Sequence, residues 1–299
     1  MPHWKLILTY DGTPYNGWQV QPNLPTVQGT LAEAIHRITG ETVLPQGSGR
    51  TDTGVHALAQ VATFSLTVPI PAANLHRALN RALPASIRVL SVEAVPEDFH
   101  ARHSALRKTY EYRILPCGHD DRICSPMLAP YVWPCRFSLD FTILQQAASH
   151  IVGTHDFTSF AANDPDQTAR KEQPTHTDKH EATHADKEQS GDKEQGADKK
   201  QSAEADSLST PYSLLPTPCF TRTIHHSAWC RHEDLLIYRI TGNGFLHHMV
   251  RNLVGTFVEA AAHRISADTI PTILAARNRS AAGPTAPASG LFLVEVEYK

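Results

Sequence analysis

The chain has 299 residues, 41% of them hydrophobic and 19% charged, with a formal net charge of −3. This composition suits a soluble globular protein with a real core and calls for no exotic class. No apolar run reaches membrane length, the opening Met1–Lys5 leads into a strand, and the five cysteines are odd in number with no C-x-x-C pair, so the expectation is a cytoplasmic protein with free thiols, no membrane segment, no disulfide framework and no structural zinc.

In chain order, alternation predicts a strand over 3–10, and a 3.6-residue period predicts a helix over 27–38. In that helix Val27, Leu31, Ala34, Ile35 and Ile38 share a face, and Thr26 is the candidate N-cap. A short strand near Val43, a strand over 60–66, a helix over 73–83 and a strand over 87–95 complete a first half, 1–104. The second half, 105–299, reads as a strand over 108–115, a helix over 139–152, strands over 222–229 and 235–241, a helix over 245–263 and a last strand over 291–298. Each half follows the order β-α-β-β-α-β of a ferredoxin-like unit. The expectation is an α/β (α+β) protein whose two halves share one continuous, mixed, antiparallel-rich sheet with a central cleft.

The second half is interrupted at about 163–216. Residues 163–210 hold no aromatic residue and contain a degenerate six-residue repeat, from Ala185 to Ser202. Ordering such a segment would cost about 1–2 kcal/mol per residue with no apolar surface to offset it, so it reads as a disordered insertion. His176, His180 and His184 fall at helical spacing inside it, which a solvated polar tract explains without a metal. The stretch 163–210 also carries seven Lys/Arg against twelve Asp/Glu, leaving twenty against eighteen elsewhere, so it masks a mildly basic body.

The chemistry is concentrated at Gly49-Arg50-Thr51-Asp52-Thr53-Gly54-Val55-His56-Ala57. One carboxylate stands between an arginine, two hydroxyls and two glycines, outside any hydrophobic period. Gly49 and Gly54 permit positive φ and close backbone approach, Thr51 and Thr53 can bond the loop, and Arg50 supplies a counter-charge. An Asx turn capping its own backbone is the bland alternative. The string is very similar to the signature of the TruA family of tRNA pseudouridine synthases. Tyr10-Asp11-Gly12-Thr13-Pro14-Tyr15-Asn16-Gly17-Trp18-Gln19, Thr26–Gly29, Lys108–Tyr112, Asp156–Phe160 and Phe245–Asn252 resemble further motifs of that family, in family order.

The resemblance implies the duplicated α/β architecture, a homodimer, no cofactor or metal, and isomerisation of uridine in the anticodon arm of tRNA at positions 38, 39 and 40. It makes Asp52 the catalytic carboxylate, which must be ionised to act as nucleophile or base. Tyr110 matches the active-site tyrosine, with a ring to stack on uracil and a hydroxyl for proton transfer at C5. Arg50 and Arg251 are candidate counter-charges or phosphate contacts; His56 and His248 are candidate substrate contacts. Tyr112 reads as packing. Trp18, Gln19 and Gln21 are poised evenly between base contacts and hairpin packing. Two other readings remain open: a non-catalytic RNA-binding relative, and a metal-dependent hydrolase using Asp52 and His56.

Overall fold

The computed structural model describes residues 1–118, 122–162 and 220–299; the 163–216 insertion and Cys219 lie outside them. Strand β1 (His3–Tyr10) buries every second residue, placing Trp4, Leu6, Leu8 and Tyr10 in the core. Helix α1 (Val27–Thr39) starts where the Thr26 hydroxyl accepts the Gly29 N–H at 3.2 Å, and ends at Gly40 in the left-handed region. Its buried face is Val27, Leu31, Ala34 and Ile35. Then follow β2 (Gln46–Gly47), β3 (His56–Ser65), α2 (Ala72–Ala82) and β4 (Ile87–Val95). The second half is β5 (Arg107–Pro116), β6 (Trp133–Cys135), α3 (Phe141–Ser149), β7 (Gly153–Asp156), β8 (Thr221–His232), β9 (Leu235–Gly242), α4 (Met249–Ala261), α5 (Ile270–Ala276) and β10 (Leu291–Glu297).

All ten strands join one sheet in the order β4-β1-β3-β10-β5-β9-β8-β7, with β2 on β3 and β6 on β5. Taken separately, β4-β1-β3-β2 and β10-β5-β9-β8 each show the ferredoxin-like order, with β7 added at an edge. The seam between the halves is short: β10 runs parallel to β3 only through Phe292 opposite His56 and Leu293 opposite Ala57, and antiparallel along β5. A single buried cluster spans both halves, from Leu8, Leu31 and Leu79 through Tyr112 and Tyr238 to Leu253 and Phe257.

Three expectations move. The expected strand over 60–66 begins four residues earlier, at His56, because its first residues pair with the distant C-terminal strand. The strand near Val43 is the two-residue β2, at Gln46–Gly47. The helix over 245–263 starts at Met249, since His248 takes φ 58° and the turn before it is not helical. Strands β6 and β7 and helix α5 are too short to show a period in the sequence.

Helix α4 crosses the 284–286 segment at close range: a Cβ on Gly255 would stand 1.7 Å from the Pro284 carbonyl oxygen. Alanine would gain about 1 kcal/mol of helix propensity there, but relieving an overlap with backbone costs roughly 1–3 kcal/mol. Gly255→Ala is therefore expected to lower the thermal unfolding midpoint, read by calorimetry or circular dichroism; a raised midpoint would show that propensity prevails and that the crossing is loose.

Candidate active site

Asp52 lies on the loop that delivers the chain into β3, and that loop is tied down on two sides. The Thr51 carbonyl accepts the Trp18 N–H at 3.0 Å, the Thr51 hydroxyl bonds Tyr10 Oη at 2.8 Å, and the Gln60 amide donates to the Gly49 carbonyl at 3.0 Å. Asp52 itself closes a tight turn, its carbonyl accepting the Val55 N–H at 3.0 Å, with Gly54 at φ 78°. Gly54 thus uses the conformational freedom read from the sequence, whereas Gly49 keeps an ordinary φ. The Tyr10–Trp18 segment must come close to hold the loop. A Cβ on Gly17, at φ 81°, would stand 2.5 Å from the Thr51 carbonyl oxygen.

The carboxylate is left 18% exposed and faces the start of α4. Arg251 Nη1 donates to Asp52 Oδ2 at 2.9 Å, while its Nε donates to the Ala286 carbonyl at 2.8 Å. The guanidinium is therefore clamped by backbone on one edge and presents the other to the acid. His248 Nε2 lies 3.3 Å from Oδ2 and His247 Nε2 lies 3.6 Å from Oδ1, the two rings 3.9 Å apart. His248 reaches this position from the left-handed region at the helix N-cap, a conformation costing about 1 kcal/mol for a residue with a Cβ. Burial lowers the His248 pKa, with neighbouring His247, Arg251 and Arg279 acting the same way against the attraction of Asp52, so the imidazole is neutral near pH 7.

Tyr110, on β5, is buried and packs edge-on to Phe245 at 5.0 Å. Burial holds its phenol well above the ordinary value, with Tyr10 and Asp52 pushing the same way. Its hydroxyl therefore stays protonated beside the acid. Tyr112 is fully buried and donates to the Pro287 carbonyl at 2.7 Å, a packing role. Trp18 is also packing: it is 2% exposed and fills the space over Gly47.

The structure brings Asp52, Arg251, His248, His247 and Tyr110 together. Arg50 is exposed, and a cation on Asp52 is Arg251, from the start of α4. His56 is not drawn to Asp52. It is 1% exposed and stacks on Phe292; its Nδ1 accepts the Gly12 N–H at 3.0 Å and its Nε2 donates to the Pro130 carbonyl at 2.9 Å. With both nitrogens used inside the protein, it offers substrate nothing and cannot share a metal with Asp52. Asp52, His247 and His248 do hold ligand atoms within 4.8 Å of one another, but the Arg251 guanidinium on the same carboxylate opposes a cation there.

Two further motif residues, Asn252 and Asp156, hold structure. Asn252 is fully buried, donates to the Phe160 carbonyl at 2.8 Å and accepts from the Thr285 hydroxyl at 2.6 Å and from Arg279 at 3.1 Å. It joins α4 to the loop whose Ala286 carbonyl holds Arg251. Asp156 accepts from the Thr158 N–H and hydroxyl at 2.9 and 2.6 Å and pairs with Arg277 at 3.0 Å.

Residues 6–104 and 215–299 match the sequence profile of a family described as tRNA pseudouridine synthase. The chain belongs to the tRNA pseudouridine synthase family. Among its relatives are proteins named tRNA pseudouridine synthase A from Solibacter usitatus, 40% identical with 98% of each chain covered, and from Moorella thermoacetica, 38% identical with both chains covered in full. A third of the same name, from Rhodospirillum centenum, is 38% identical, again over both whole chains. Both matched segments of the family profile contribute to the cluster: the first carries Asp52, the second His247, His248 and Arg251. Among the described residues no helix is long and apolar enough to cross a membrane.

Burial lowers the His56 pKa from its ordinary 6.5. In the window between that lowered value and 6.5 the unfolded chain binds a proton that the native chain refuses, so stability falls as pH drops through it. His56→Gln keeps an acceptor for Gly12 and a donor for Pro130 without titrating. It is expected to flatten the fall of the unfolding midpoint between about pH 7 and pH 5; an unchanged slope would mean that His56 is not buried as a neutral ring.

Proposed function

We propose that the chain isomerises uridine to pseudouridine in the anticodon arm of tRNA, at positions 38, 39 and 40, with Asp52 as the reacting carboxylate. The observation that carries this reading is a half-buried carboxylate fixed by Arg251 at 2.9 Å, beside a buried tyrosine, in a family whose members act on tRNA uridine. The reaction breaks the C1′–N1 bond, turns the base and joins C5 to C1′. The C5 proton is lost and N1 gains one, so atoms balance and no electrons are exchanged. Asp52 acts as an anion that meets the sugar or base while the uracil turns. Arg251 holds that anion in one orientation, which is where most of the advantage of a positioned group arises.

Tyr110 provides a face on which the everted uracil stacks and, being protonated, a hydrogen-bond donor rather than a resting base. The neutral His248 and its neighbour His247 close the other side of Asp52. Arg50, exposed on the Asp52 loop, is a phosphate contact in this scheme. Extracting a base from a stem costs roughly a few kcal/mol, which stacking and phosphate contacts offset. A homodimer, with two subunits building the RNA-binding surface between them, is part of the same proposal.

Unmodified tRNA incubated with the purified chain in the presence of a chelator, then mapped for pseudouridine, is the test. The unaltered chain is expected to modify the anticodon arm. Asp52→Asn is expected to abolish product by more than about a thousandfold while leaving tRNA affinity largely intact. Equal loss of binding and turnover would make Asp52 a folding or binding residue, and chelator-sensitive activity would favour metal chemistry at Asp52 and its two histidines.

A further inference from the structure

Lys108 opens the Lys108-Thr109-Tyr110 run and has no part in the chemistry above. It stands two residues before Tyr110 on β5, so the two side chains leave the same face of the sheet about 6.6 Å apart along the strand. Its ammonium is half-buried and reaches across to the other half of the fold, where it donates to the Ser48 carbonyl. The approach is possible because residue 49 is glycine: a Cβ there would stand 3.1 Å from Lys108 Nζ.

A half-buried lysine ordinarily finds an acid, as Lys5 does with Glu93 at 2.6 Å. Lys108 has none among the described residues. Among the described residues its bond is to a neutral carbonyl, and two of its three donors find no protein acceptor there. The charges that bear on it are cations. Burial, then Arg102 and Arg222, push its pKa down to about 8. Arg222 in turn lies over Gly244, in the turn leading to His247 and His248. A desolvated cation with no counter-charge among the described residues, in the field of two more cations, is unfavourable in the free protein and is satisfied by an arriving anion.

Resting on the proposed tRNA activity, we infer that Lys108 is a phosphate-binding residue, its ammonium gripping a phosphodiester of the RNA strand beside the everted uridine while Tyr110 takes the base. The spacing suits the task, since a nucleotide whose ring lies on Tyr110 trails its phosphates along the strand toward Lys108. The Ser48 carbonyl aims the ammonium, and Gly49 leaves the approach open.

The test compares the unaltered chain, Lys108→Gln and Lys108→Arg, measuring the Kd for unmodified tRNA across a salt series. Lys108→Gln is expected to weaken binding about tenfold and to reduce the slope of log Kd against log salt by about one. Lys108→Arg should restore the slope. A second measurement uses an anticodon stem-loop carrying one neutral methylphosphonate at successive positions near the target uridine. One position should weaken binding to the unaltered chain and have no further effect on Lys108→Gln. Unchanged slope with slower conversion of bound tRNA would make Lys108 a positioning residue for the Asp52 loop and overturn the inference, as would methylphosphonate losses that multiply with Lys108→Gln at every position. Because the readout is binding, an unaltered chain that binds tRNA but forms no pseudouridine would count against the proposed activity and not against this contact.

Discussion

The pairing of Asp52 with Arg251 is the constraint on which the rest depends. The two residues are 199 positions apart, one on the loop before β3 and the other on α4. A carboxylate on a glycine-flanked loop is easily turned away from its target, and a guanidinium on the first turn of a helix has many rotamers. Each limits the other only because both are also fixed from behind. The loop is held by Trp18, Tyr10 and Gln60, and the guanidinium by the Ala286 carbonyl. The contact therefore tests whether the two halves have docked in register.

That register is set by modest means. Only two residue pairs join β10 to β3, and one of them places Phe292 against His56. His56 then carries the alignment inward through Gly12 and Pro130, so a histidine four residues after Asp52 serves architecture while histidines at the far end of the sequence face the acid. On the other side, Asn252 locks α4 to the segment that holds Arg251, with Gly255 allowing the closest approach. Buried polar groups of this kind are expensive unless fully bonded, and each of these is bonded.

Much of the architecture could be read from sequence because it rests on local signals. The alternation in β1, the Thr26 cap of α1 and the two β-α-β-β-α-β runs are periodic or positional patterns. What escaped was set at long range. The early start of β3 depends on a partner more than 230 residues away, at Phe292. The late start of α4 depends on His248 adopting φ 58° to reach Asp52, which outweighs the helical period of the preceding residues. In the site, chain proximity suggested His56 as a companion of Asp52, and its ring is bonded to Gly12 and Pro130 instead. Proximity in sequence cannot say which way alternate residues of a loop point. Lys108 carried a usable signal, its i, i+2 relation to Tyr110, but that it meets no acid among the described residues appears only once the sheet is assembled.

The most direct measurement of the central claim is the single-turnover rate at which enzyme-saturated tRNA is converted, compared between the unaltered chain and Arg251→Met. If the guanidinium orients the reacting carboxylate, conversion of bound tRNA should slow by about a hundredfold or more, with a much smaller change in Kd. A conversion rate within about twofold of the unaltered chain would contradict the claim and leave Asp52 positioned by its own loop alone.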